Sequence, residues 1–153
     1  MDLQPLILLA HIAGVAVWVG GMIFAYFFLR PAAAQVLEPP QRLRLWSEVL
    51  GRFFAWVNVA VVLVVASGLT RLGEIGMASA PSRWHLMLAT GLSMAALYAY
   101  VRVVPYRALA AAVAAQDWKA AGAALAAIRR LVAVNIALGV VTITSATVGR
   151  WFF

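Results

Sequence analysis

The stretch that decides the fold is Leu6–Leu29, LILLAHIAGVAVWVGGMIFAYFFL. It carries no acidic or basic residue, and its only strongly polar side chain is His11. About 20 apolar residues in a helix cross the hydrocarbon core of a bilayer, so this run is long enough to span one. Three more runs follow: Phe53–Leu72, Trp84–Val104 and Leu131–Phe153, the last interrupted by Arg150. The whole chain agrees, with 65% hydrophobic residues, 11% charged residues and a mean hydropathy of +0.95. Soluble domains are about half apolar and a quarter charged. The sequence predicts an all-α integral membrane bundle of four transmembrane helices with short amphipathic connections. All of residues 1–153 are expected to form one four-span domain. The two halves show no convincing repeat. Asp2 and the length of the first run argue against a cleaved signal peptide.

Basic residues set the expected orientation. Arg30, Arg42, Arg44 and Arg52 lie between the first two runs, and Arg102, Arg107, Lys119, Arg129 and Arg130 between the last two. The other side has only Arg71, Arg83 and Arg150. Nine against three puts the long connections in the cytoplasm and both termini outside, in a bacterial inner membrane. The net charge of +7 is scattered between apolar spans, so nucleic acid is not an expected partner. Membrane lipid is.

Both long connections read as helical. Pro39-Pro40 ends an extended piece and suits a helix start. Leu43, Trp46, Val49, Leu50 and Phe53 then recur at helical spacing, as in an interfacial stretch entering the second span. Asp117 is a plausible N-cap for Trp118–Arg130, continuous with the fourth span. Trp56, Trp84 and Trp151 fall near span ends and read as an aromatic belt, whereas Trp18 lies mid-span.

Ionisable side chains inside a span mark function by default. The chain has two histidines, His11 and His85, each near the start of a span, and those spans run parallel. Their depths therefore match, and two imidazoles at one level can hold one metal centre. Gly14 and Trp18 share the His11 face, and Ala89 follows one turn after His85. A haem b with His11 and His85 as axial ligands fits this pattern. Gly14 and Ala89 would make room for the ring, Trp18 would pack on it, and Arg71, Arg83 and Arg150 would pair with its propionates. With both axial positions filled, electron transfer is the expected role, with a redox protein or quinone as partner and either one chain or a homodimer holding the haem. Whether the chain is an oxidoreductase or only an electron carrier stays open.

Copper is the rival, because soft thioethers select Cu(I). Met22, Met77, Met87 and Met94 are available, although the helical angle puts Met87 and Met94 opposite His85. Zero cysteines remove thiolate sites, iron–sulfur clusters and covalent c-type haem. No span holds Asp, Glu or Lys away from its ends, and Ser67, Ser93 and Ser145 have no base at a recognisable spacing, so acid–base and nucleophile templates fail.

Several short motifs resemble the CopD family of bacterial inner-membrane proteins named for copper resistance. They are His11-Ile12, Trp18-Val19-Gly20-Gly21, Phe53-x-x-Trp56, Ser67-Gly68-Leu69, Trp84-His85-Leu86-Met87, Pro105-Tyr106 and Arg129-Arg130-Leu131-Val132. The resemblance implies a copper-related role, and the larger members have spans that are missing here. A fainter likeness is to the four-helix, haem-binding protoporphyrinogen oxidases of bacteria, at His11, Trp18, Gly21, His85 and Asn135. It implies a haem-dependent oxidase, but those enzymes place a lysine after the second histidine where this chain has Leu86, and its only lysine is Lys119.

Overall fold

A computed structural model describes residues 3–148. Four helices are long and apolar enough to cross a membrane: α1 Gln4–Val36, α2 Pro39–Ile75, α3 Ser82–Ala114 and α4 Trp118–Thr147. Residues 149–153, including Arg150 and Trp151 of the expected site and belt, lie outside the described residues. The helices are longer than the apolar runs because the arginine-bearing connections are helical too. Only Leu37 and Glu38 separate α1 from α2, and Pro39 and Pro40 open α2 in the first turn, where a missing N–H costs nothing.

α1 is not a regular α-helix. Its turns widen to π-helical geometry at Ala16–Gly20 and again at Ala25–Leu29. Pro31 follows the second widened segment. A proline ring clashes with the carbonyl four residues earlier, and a looser turn relieves that clash while the helix continues. α3 bends at Val104, with φ −103° and ψ −79°, where Pro105 withholds the N–H that Val101 would accept.

The α3–α4 connection is closed by backbone geometry. Asp117 N–H bonds Ala112 O at 2.9 Å and Gln116 N–H bonds Val113 O at 3.1 Å, while Gln116 sits at φ +58°. This is a Schellman ending with glutamine where glycine is favoured. Asp117 then caps α4 by accepting from Ala120 N–H at 2.9 Å, as its position before the Ala-rich run predicts. Gln116→Gly should therefore raise stability by about 1 kcal/mol, read as a higher unfolding midpoint in detergent. An unchanged or lower midpoint would show that the left-handed turn is not strained.

α1 packs along α2, and α3 packs along α4. The tightest packing lies in the arginine-rich half, where Val57, Leu109, Ala121, Leu125 and Ile128 are almost fully buried. The stretch expected at the membrane interface belongs to this core. Leu43, Trp46 and Leu50 are buried against the bundle, so the apolar face of the α2 extension is spent on neighbouring helices. On the outside, α1 shows Phe24, Phe27 and Phe28, and α2 shows Trp56, Val59 and Val62. Unpaired apolar faces on helices of this length suit contact with lipid.

Candidate functional site

His11 is half-buried between α1 and α2, with Nδ1 2.8 Å from Ser67 Oγ. The Ser67 hydroxyl has one hydrogen, and it is directed at carbonyls of its own helix, Leu63 O and Val64 O. With that hydrogen on the backbone, the oxygen accepts from His11, which assigns the proton to Nδ1 and the free lone pair to Nε2. A serine with its hydrogen spent on the backbone is not an activated nucleophile. It is an outer partner that fixes the imidazole tautomer, the arrangement that metal-ligating histidines use. Gly68 leaves space beside the ring, since a Cβ there would stand 3.7 Å from His11 Cε1.

His85 is disposed differently. Its side chain is exposed, and Nε2 lies 3.1 Å from Met77 O, in the α2–α3 connection. A carbonyl only accepts, so Nε2 is the donor and Nδ1 is free, the opposite tautomer to His11. At about 100° per residue His85 lies across α3 from Met94, and the structure agrees, with Met94 buried and His85 exposed. Thr90, Met94, Tyr98 and Val101 are the buried residues of α3's membrane-spanning part, while Ala89 and Leu92, near His85 in angle, are exposed.

The remaining residues of the expected haem site also go to other uses. Gly14 is buried, but the space beside it belongs to α2: a Cβ would meet Val64 Cγ2 at 2.7 Å and Ala60 O at 3.0 Å. It admits a helix backbone, as small residues in membrane bundles do. Trp18 is buried and meets Tyr98 edge-on at 6.2 Å. Ala89 faces outward, where it makes room for nothing inside the bundle. Arg71 pairs with Glu74 at 2.9 Å, and Arg83 is half-buried at the start of α3. The expectation of one haem gripped by two rings finds no support in this geometry: His11 is half-buried against α2, His85 is exposed beside the α2–α3 connection, and the space beside Gly14 is filled by α2.

The interior between α1, α3 and α4 is where soft donors collect. Met22 and Met94 are both buried. Thr142 Oγ1 lies 3.9 Å from Met94 Sδ and donates to Thr90 Oγ1 at 2.7 Å or to Leu138 O at 2.8 Å, while Asn135 Nδ2 donates to Met94 O at 3.4 Å. Gly139 lets Met94 approach α4, its notional Cβ standing 3.3 Å from Met94 Cε. Among the described residues no group of three or more His, Cys, Asp or Glu is placed to hold a metal, so any metal held inside the bundle depends on thioethers and single imidazoles.

Sequence reasoning missed two partners. Ser67 is 56 residues from His11, and no local pattern signals the pairing. Tyr98 reaches across to α2, donating to Asn58 Oδ1 at 2.7 Å or to Phe54 O at 3.0 Å. Tyr98→Phe should cost about 1 kcal/mol in unfolding free energy. A midpoint equal to wild type would mean that the bond contributes nothing.

A family model described as copper resistance protein D, CopD, matches residues 47–149, about two thirds of the chain. No curated protein and no solved structure matches.

Proposed function

The chain belongs to the CopD family, and from that premise we propose that it handles copper within a bacterial inner membrane, as cargo bound by imidazole and thioether donors. The family match is the observation that carries this reading, and the tautomer of His11 gives it a ligand. His11 offers Nε2 inside the bundle, near the end of α1 assigned to the outer side by the arginine count. His85, exposed beside the α2–α3 connection, offers Nδ1 at the surface, so it serves as the receiving donor and His11 as the interior one. Met22 and Met94 lie deeper and favour Cu(I) over harder cations. Ser67 holds the His11 proton on Nδ1 and so keeps Nε2 free for metal.

The test is the metal content and visible spectrum of the full chain purified from copper-supplied membranes. Retained Cu(I) with no Soret band is the expected result. A Soret band with split reduced α/β bands, or a sample that never retains copper, would contradict it.

A further inference from the structure

A cavity of about 50 Å³ lies in the arginine-rich half of the bundle, away from the histidines. It is bordered by Trp18, Met22 and Tyr26 of α1, Phe54 of α2, and Arg129 and Asn135 of α4, among others. Its size suits a few water molecules or a small oxyanion. Its walls are almost wholly apolar, and the polar side chains among them, beside the tyrosines, are Asn135, Arg129 and Arg30. Asn135 is 4% exposed; its Nδ2 is turned to Met94 O, which leaves Oδ1 without a partner. Arg129 Nε is likewise buried with no acceptor. Arg30, the third, lies over the Tyr26 ring at 5.0 Å.

The charge balance is one-sided. Arg30 and Arg42 lie within electrostatic range of Arg129. The ion pairs among the described residues are Arg52–Glu48 and Arg71–Glu74, and neither reaches this cluster. Arg129 and Arg30 both border the cavity with no carboxylate among the described residues ion-paired to either, and the unpaired Arg129 Nε–H is a donor that an anion would complete, while Arg42 lies outside the lining. The π-helical segment Ala16–Gly20 of α1, which no proline explains, adds an independent sign, since Trp18 belongs to it and borders the cavity. Such widened turns recur at functional sites.

We propose that this cavity binds a phosphate-type oxyanion, supplied by the headgroup of an anionic lipid or by free phosphate. Its oxygens accept from Arg129 Nε–H and Arg30, and a bound water or headgroup hydroxyl donates to Asn135 Oδ1. Arginines at the ends of membrane helices stand at headgroup depth, which suits the lipid source.

The experiment is native mass spectrometry of the full chain released from nanodiscs of phosphatidylglycerol and phosphatidylcholine, with and without inorganic phosphate. Wild type should keep phosphatidylglycerol over phosphatidylcholine, and R129Q should lose that preference about tenfold, while R130Q at the exposed neighbour keeps it. Displacement of the lipid by millimolar phosphate, lost in R129Q, would support the same site with free anion as its source. Should R129Q fail to fold, R129K, which keeps the charge but lacks Nε–H, carries the same comparison. Equal retention of both lipids together with no phosphate effect, or an R129Q or R129K profile matching wild type, would overturn the proposal.

Discussion

Gly14→Leu is expected to separate α1 from α2 and to lower stability by about 3 kcal/mol or more. Any side chain at residue 14 points at the α2 backbone. A Cβ would stand 3.0 Å from the Ala60 carbonyl oxygen and 2.7 Å from Val64 Cγ2. The valine methyl can rotate away, but the carbonyl is held in the helix and cannot. Relief therefore requires the helices to move apart, and the His11–Ser67 hydrogen bond lies one turn from that contact. Gly20→Leu is the control, because a Cβ at Gly20 meets nothing within 4 Å. Thermal unfolding of the full chain in detergent should show a large drop for the first variant and a change within about 0.5 kcal/mol for the second. Equal drops would mean that α1 and α2 do not meet at Gly14.

The second large effect concerns copper. Loss of an outer-shell partner costs a metal site about 10–100-fold in affinity, and loss of the ligand itself costs at least the upper end of that range. His11→Ala should accordingly weaken Cu(I) binding by at least about a hundredfold, and Ser67→Ala by about tenfold. The serine variant keeps the imidazole but frees Nδ1–H to change tautomer. His85→Ala should slow loading with little effect on final affinity, since its ring stands at the surface.

The four helices were legible in the sequence because burial in lipid needs only length and hydropathy, both local properties. Asp117 was legible as a cap for the same reason. The function of the faces was not. Gly14 beside His11 has the pattern of a ring-binding slot and equally that of a close helix crossing, and only the position of Ala60 decides between them. On α3, matched depth pointed to His85, while burial selected the face of Thr90, Met94 and Tyr98. Depth follows from counting residues along one helix; rotation about its axis is set by packing with the others. Arg129 shows the same limit. Among the arginines it reads as an orientation signal, and its buried Nε becomes visible only once α1 and α4 are seen together.

The most direct measurement is a competition titration of the full chain with a Cu(I) chelator, for wild type, His11→Ala and His85→Ala. Stoichiometric, tight binding that collapses in His11→Ala and persists in His85→Ala is the predicted result. Wild-type affinity in His11→Ala, or no binding by any of the three, would contradict the assignment of copper to this bundle.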